Sequence, residues 1–160
     1  NGFETIVIMG ADVQDHAEEI SKLLRPIEMD GCDFVQGSRR LGGLRAVNIT
    51  LFRRVTTWVY SALFGLITGF RLTDGTNGFR AFRTTILRDP RLDLSQPWLD
   101  RYELEPYLMY RAIKLGYQLT EAPVTKYYHK GDLSYTKMTP FRDWWSILRP
   151  LIFLRLGIRK

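Results

Sequence analysis

VIMGADVQDHAEEI, residues 7–20, is the stretch on which the fold turns. An apolar, strand-like run ends at Gly10, a lone acid follows at Asp12, Gln14 comes two residues later, and an amphipathic segment opens near Asp15. Residues 4–9 read as a buried strand. Residues 15–25 read as a helix with Ile20, Leu23 and Leu24 on one side and acids in its first turn, where they favour the helix dipole. DGCDFVQGSRR then supplies a turn and a second short strand over 33–36. Strand, helix and strand in that order are the signature of a βαβ unit. On local grounds Asp12 is either a turn residue that caps backbone N–H groups or a carboxylate that holds a metal.

Working outward, RLGGLR is a basic, glycine-containing loop, and residues 47–68 carry aromatic and aliphatic side chains at helical spacing, which reads as a largely buried helix. TDGTNGFR, residues 73–80, is turn-rich and leads into a short strand or helix. RYELEPYLMYRAIKLGY reads as a helix ending near Gly116, and QLTEAPVTKYYH as a strand broken by Pro123.

The C-terminal TPFRDWWSILRPLIFLRLGIRK differs in character. Thr139 stands as an N-cap with Pro140 at the first helical position, and apolar residues alternate with flanking arginines. Two readings of this segment compete. In one, short helices broken at Pro150 lie in a membrane interface through Trp144, Trp145, Arg149 and Phe153; in the other, the helix docks on the domain's own core.

Composition bounds the rest. The 160 residues, 45% hydrophobic and 25% charged, suit one globular domain with a real core. A single cysteine, Cys32, excludes an internal disulfide framework and a Cys-rich zinc site. No apolar run reaches the roughly 20 residues that span a bilayer. Residues 1–38 hold two basic and eight acidic side chains, whereas residues 39–160 hold 21 basic and nine acidic. So strong a basic majority points to an anionic partner. With neither a reader motif nor an aromatic platform, that partner is not expected to be nucleic acid.

MGADVQDHAEEI, DFVQGSRRLGG, LTDGTNGFRAFR, LGYQLTEAPV and GDLSYTK follow one another in the order and approximate spacing of the second half of the GT-A catalytic domain of family 2 glycosyltransferases. The chain resembles dolichyl-phosphate mannose synthase and the related polyprenyl-phosphate glycosyltransferases over nearly its whole length. The resemblance implies an α/β, partial GT-A (Rossmann-like) fold. Residues 1–138 would form the C-terminal portion of the catalytic domain, and residues 139–160 amphipathic juxtamembrane helices.

The same resemblance implies a reaction: transfer of a sugar from a nucleotide-sugar donor to a polyprenyl phosphate at the cytoplasmic face of an anionic membrane, the chain being peripheral or anchored by segments outside it. The family's first βα units, with their nucleotide-binding residues, have no counterpart here, so a further chain or segment is expected to supply them and the 160 residues alone are not expected to be a competent transferase; the alternative reading, suggested by Gly10 and the missing half, is a non-catalytic GT-A-like module that binds lipid or a partner.

Residue by residue, the family's Asp-Ala-Asp-Leu-Gln metal motif falls on Gly10, Ala11, Asp12, Val13 and Gln14. Asp12 and Gln14 would hold Mg²⁺ or Mn²⁺, with less affinity because Gly10 replaces the first acid. Arg39 and Arg54 match arginines that help bind the acceptor phosphate, which a guanidinium suits. In the DGTNGFR loop, Asp74 would contact the donor or fix the loop, Arg80 would face a phosphate, and Asn77 and Gly78 would shape the backbone. One of Glu103 and Glu105 would face the site, because residues two apart on a helix point in different directions. Ser134 and Lys137 match the segment that closes over the acceptor side.

Overall fold

A computed structural model of the chain describes residues 2–100, 102–128 and 142–158; of residues 142–144 it describes the backbone alone. The first expectation holds: β1 (Thr5–Ile8) is followed by a 3-10 turn over Ala17–Glu19, helix α1 (Ile20–Met29) and strand β2 (Phe34–Ser38). Two details differ. α1 runs past Pro26, because a proline inside a helix forfeits one hydrogen bond and the buried Leu23 and Ile27 hold the flanking turns to the sheet. β2 extends through Gly37 and Ser38, all five of its residues being buried.

α2 (Leu51–Thr68) is capped by Thr50, whose Oγ1 accepts from the Arg53 N–H, and stopped by Gly69 at φ 79°, a left-handed conformation that glycine adopts without strain. β4 (Arg80–Arg83), the single-turn α3 (Thr84–Leu87), α4 (Leu104–Lys114), β5 (Leu119–Pro123) and α5 (Arg142–Arg155) complete the main elements. A small second sheet pairs β3 (Ala46–Val47) with β6 (Lys126–Tyr127) in parallel.

The main sheet has the order β1-β4-β2-β5. β4 runs antiparallel to both β1 and β2, and β5 runs parallel to β2. β1 and β2 therefore point the same way with one strand between them. The N-terminal end of β4 lies at the carboxyl ends of the other three strands, and that rim is where ligands of open α/β sheets bind.

Side chains alternate across the sheet with the period of two that strands impose. Phe34 and Phe82, opposite each other in register with rings stacked at 5.6 Å, face one core together with Tyr60, Phe64, Tyr107, Met109 and Leu151. Their neighbours Val35 and Ala81 face the other core, with Leu23, Ile27, Phe79 and Val124. The sheet is thus a middle layer, with α1 on one face and α2, α4 and α5 on the other.

The docked reading of the C-terminal segment is the one observed. α5 is a single helix with Pro150 inside it rather than two broken pieces. Leu151 is 1% exposed in the core, and Phe153 packs edge-on against Trp98 and Trp145. Arg149, expected at a membrane surface, turns inward to pair with Glu103 at 2.5 Å and to donate to the Trp98 carbonyl at 3.1 Å. Trp145, half exposed, is the interfacial candidate left facing outward, while the Trp144 side chain lies outside the described residues.

α2 differs in the opposite sense. Thr57, Tyr60, Ser61, Phe64 and Thr68 are buried, but Leu51, Phe52, Val55, Trp58, Val59, Leu63 and Leu66 form an apolar stripe open to solvent. Periodicity shows a helix; it does not say how many of a helix's faces are covered. Among the described residues, no helix is long and apolar enough to cross a membrane.

Candidate active site

Four segments meet at the carboxyl rim of the sheet: the turn after β1, the end of β2, the loop entering β4, and the chain leaving β5. The loop 73–79 is the most fully determined. Glu121 on β5 accepts from the Thr73 N–H (2.9 Å), the Thr73 hydroxyl (2.8 Å) and the Asp74 N–H (3.0 Å). Ser61 on α2 accepts from the Gly75 N–H at 3.0 Å. Asn77 donates to the Gly37 carbonyl at 3.1 Å, while its own carbonyl accepts from Gln36 (2.8 Å) and Arg80 (2.6 Å).

Asp74 is the centre of this network. Its Oδ2 accepts from the Arg39 backbone N–H (3.0 Å) and Nε (2.5 Å), and its Oδ1 from Arg39 Nη2 (2.6 Å). Arg39 also donates to Thr76 Oγ1 at 2.7 Å and to the Tyr128 hydroxyl. Burial would raise the Asp74 carboxyl, but the adjoining guanidinium outweighs it and holds the group below the ordinary 3.8. Arg39 responds in kind: burial would lower it, and Asp74 more than offsets that and raises it. Burial pushes the Glu121 carboxyl upward, the hydrogen bonds from Thr73 and Asp74 only partly opposing it.

The expected phosphate ligands are placed differently from one another. Arg39 is 5% exposed with its fork spent on Asp74, so it builds the loop instead of meeting a phosphate. Asp74, 0% exposed, likewise fixes the loop and not a donor. Arg80 is buried, pairing with Glu105 at 2.8 Å, and Glu103 is drawn to Arg149 on α5. Arg54 is exposed on α2. A Cβ on Gly78 would meet nothing within 4 Å, so the backbone there is open to a ligand. Ser134 and Lys137 lie outside the described residues.

Sequence reading passed over Arg40, whose Nη2 donates to the Arg54 carbonyl and to Thr57 Oγ1 at 3.0 Å. With Arg71, Trp58, Gly65 and Thr73 it lines an open cleft of about 500 Å³ beside the apolar stripe of α2.

Gly37 is a glycine for a steric reason. A Cβ there would stand 2.5 Å from the Phe79 carbonyl oxygen, the same atom that accepts the Gly37 N–H at 2.9 Å, and 3.0 Å from Val124. Neither backbone segment can yield without loosening the loop. Gly37→Ala is therefore expected to lower stability by about 1–3 kcal/mol, read as an earlier urea midpoint with an unchanged slope.

After β1, Asp12 is half-buried, and its Oδ1 accepts from the Gln14 N–H at 3.3 Å. Gln14 is 7% exposed, and its carbonyl accepts from the Tyr127 N–H at 2.9 Å. The nearby second acid is Asp15, which sequence reading did not single out. Its side chain is 0% exposed and takes a 2.9 Å hydrogen bond from Lys126 on β6. A Cβ on Gly10 would lie 2.9 Å from Asp12 Oδ1 and 3.3 Å from Asp15 Oδ2.

These residues do not fit the Mg²⁺ or Mn²⁺ that the resemblance implies. Asp12 already accepts from the Gln14 N–H, Asp15 is neutralised by an ammonium, and position 10 supplies no acid. No group of three His, Cys, Asp or Glu side chains able to hold a metal occurs among the described residues.

No family model matches the chain. Among curated proteins it is 31% identical, over 86% of its length, to an undecaprenyl-phosphate mannosyltransferase of Micrococcus luteus, covering 54% of that protein. It is 30% identical, over 86%, to a polyprenol monophosphomannose synthase of Mycolicibacterium smegmatis, of which it covers 50%. A UDP-N-acetylglucosamine–dolichyl-phosphate N-acetylglucosaminyltransferase of Methanococcus voltae is 27% identical over 98% of the chain and 60% of its own length. The chain thus spans about half the length of the curated relatives it matches.

Proposed function

We propose that the chain, similar over about half their length to polyprenyl-phosphate glycosyltransferases of the family 2, GT-A type, is part of a transferase carrying a sugar from a nucleotide-sugar to a polyprenyl phosphate at a membrane surface. The observation that carries the reading is the rim itself. The turn of Asp12 and the loop 73–79 are brought to one end of the sheet, and the loop is pinned by Glu121, Arg39 and Asn77. Rigidity of this kind is what a site that must aim two phosphorylated substrates at each other requires.

In the proposed reaction an oxygen of the acceptor phosphate attacks the sugar C1. The bond from C1 to the donor's diphosphate oxygen breaks, and its electron pair leaves with the nucleoside diphosphate. The sugar configuration inverts. A phosphate monoester is already ionised near neutral pH, so no strong general base is needed. A rim supplied with arginines and a loop held by buried carboxylates suits that chemistry. Glycosyltransferases of this type generally use a divalent metal.

On the acceptor side, the cleft lined by Arg40 and Arg71 opens beside the apolar stripe of α2, with Arg54 exposed on the same helix. Guanidinium groups next to exposed Trp58, Phe52 and Leu66 offer a lipid phosphate and an anionic membrane surface what each would bind. The open stripe is one observation in favour of this surface, and the basic excess of residues 39–160 is a second.

The test is transfer of radiolabelled sugar from GDP-mannose, UDP-glucose and UDP-N-acetylglucosamine to polyprenyl phosphate by the whole protein in liposomes. Label is expected in the lipid fraction with one of these donors, and acid-labile, as a glycosyl phosphate is. Failure of every donor with two different polyprenyl phosphates would overturn the reading.

A further inference from the structure

Glu121 ends a hydrogen-bond chain whose direction can be read proton by proton. Its ionised Oε2 can only accept, so the Thr73 hydroxyl, 2.8 Å away, gives its one proton there. Ser38 Oγ lies 2.6 Å from Thr73 Oγ1, and with the Thr73 proton already given, Ser38 must be the donor of that bond. The two lone pairs of Ser38 Oγ are taken by the Arg40 and Leu41 N–H groups, each at 3.1 Å. Ser38 is 0% exposed, and its hydroxyl is fully used. The chain thus runs from the turn after β2, through two hydroxyls, to one carboxylate on β5.

That order lasts only while Glu121 is ionised. Its Oε1 accepts the Asp74 N–H at 3.0 Å, and its Oε2 accepts the Thr73 N–H at 2.9 Å besides the hydroxyl. An incoming proton goes to Oε2, because a hydroxyl neighbour can turn round and an N–H cannot. Glu121 then donates to Thr73 Oγ1, the Thr73 proton turns to Ser38 Oγ, and Ser38 would have to accept three bonds with two lone pairs. One of the Arg40 and Leu41 N–H groups loses its acceptor.

No cation shares the Glu121 carboxylate. Gln36, opposite it in the register of β2 and β5, is neutral, and Arg39 is engaged by Asp74. Arg40 and Arg71 in the cleft form no salt bridge with it among the described residues. Burial, with Asp74 adding to it, holds the Glu121 carboxyl above the ordinary 4.5. A carboxyl raised in this way lends the fold stability when protonated, and that stability is lost as pH rises through the folded-state value. An acceptor kept charged near neutrality against that preference points to work other than stability.

We propose that Glu121 is the positioning residue of the cleft beside α2: ionised, it orders the hydroxyls of Thr73 and Ser38, and Ser38 so ordered holds the turn that carries Arg40 to the cleft. The inference rests on the transferase reading and adds a means of control to it, since Thr73 and Arg40 both line the cleft that would take the acceptor phosphate. Arg40 is gripped from two sides, its N–H by Ser38 and its Nη2 by Thr57 Oγ1 at 3.0 Å, and the first grip is the one that Glu121 commands. As pH falls, Glu121 takes up its proton before an ordinary glutamate does, and that grip is released.

The experiment follows the backbone amide shifts of the whole ¹⁵N-labelled protein across about pH 4–8. The Thr73 and Asp74 amides, bonded to the carboxylate itself, are expected to titrate with one midpoint above 4.5, and the Arg40 and Leu41 amides, two hydroxyls away, with the same midpoint. In Thr73→Val, which keeps the side-chain shape and removes the relaying hydroxyl, Arg40 and Leu41 should cease to follow. In Thr73→Ser, which keeps the hydroxyl, they should follow as before. Native Arg40 and Leu41 amides that do not move at the Glu121 midpoint would overturn the inference and need no variant; amides that still follow it in Thr73→Val would overturn it too.

A second readout is calorimetric binding of geranyl phosphate, a short soluble prenyl phosphate, at one neutral pH so that the ligand's own ionisation is constant. Thr73→Val and Glu121→Gln should bind it about tenfold more weakly, which is the net contribution of about one hydrogen bond, and Thr73→Ser nearly as the native protein does. Equal binding by Thr73→Val and the native protein would overturn the role in the cleft. Sugar transfer measured in parallel separates the two claims. A raised KM for polyprenyl phosphate with kcat and the donor KM little changed supports both, whereas transfer from no donor removes the transferase reading and leaves the coupling to be decided by the amide shifts and geranyl phosphate.

Discussion

Arg39→Met is expected to destabilise the protein by about 3–5 kcal/mol, the range seen when one partner of a buried ion pair is removed. The cost falls on Asp74. It would lose the two hydrogen bonds that Arg39 supplies through Nε and Nη2 while a backbone bond of 3.0 Å and its own contacts to Thr76 remain, and it would still be 0% exposed. Arg39→Lys should recover little, because an ammonium cannot span both carboxylate oxygens and reach Thr76 and Tyr128 as the fork does. Removing both charges, as in Arg39→Met with Asp74→Leu, should recover most of the loss.

The dependence on pH has a definite sign. The Asp74 carboxyl is held below its ordinary 3.8, so the stability it contributes is fully present above that value and is lost as pH falls through its lower, folded-state value. In Arg39→Met the carboxyl is no longer held down. The gap between native and variant urea midpoints should therefore be widest near neutral pH and narrow below about pH 4. A constant gap across that range would mean that the pair contributes shape and not charge.

The second large effect is expected on α2. Trp58→Ser with Leu66→Ser should weaken partitioning onto anionic liposomes by about a hundredfold. Burying side chains of this size gains about 1.5–3 kcal/mol each, and every 1.4 kcal/mol is tenfold. Both residues are open to solvent, 59% and 82% exposed, so the unfolding free energy from urea titration should change by no more than about 0.5 kcal/mol. Arg54→Ala should reduce the part of binding that salt screens and leave the rest. Undiminished partitioning in the double serine variant would mean that the stripe meets protein and not lipid.

The contrast between α2 and α5 shows what sequence could and could not tell. Both are apolar helices with arginines among the aliphatics; α2 was expected to be largely buried, and α5 stood open between a membrane interface and the domain's own core. The structure leaves one stripe of α2 in solvent and docks α5, because which face is covered depends on Leu151 finding the main core and Arg149 finding Glu103, and both are tertiary events. What local chemistry controls was legible: strands that end at turns, Gly69 and Gly116 in left-handed conformations after helices, and the DGTNG loop.

The site's long-range pairs were not legible. Arg39 and Asp74 are 35 residues apart and Asp15 and Lys126 are 111 apart, and nothing at either position marks its partner. Of the residues matched by family resemblance, Asp12, Gln14, Arg39, Asp74, Asn77 and Gly78 stand at the rim, Arg39 and Asp74 as builders of the loop; Arg54 is exposed on α2, and Ser134 and Lys137 lie outside the described residues. Asp15, Arg40, Glu121 and Lys126, each an ordinary charge in its own window, make long-range contacts that no local pattern marks.

The placing of β4 between β1 and β2 has a kinetic meaning. β1 touches the main sheet through β4 alone, over the four pairs from Thr5–Arg83 to Ile8–Arg80, so it cannot join until a strand some 75 residues later has arrived. An element added late and held on one side is also the one that opens at least cost. The turn carrying Gly10 and Asp12 is thus hinged on an edge strand of the sheet, with the Tyr127 bond to Gln14 and the Lys126–Asp15 pair as its far clasp. Closing that clasp is what would time the assembly of the rim.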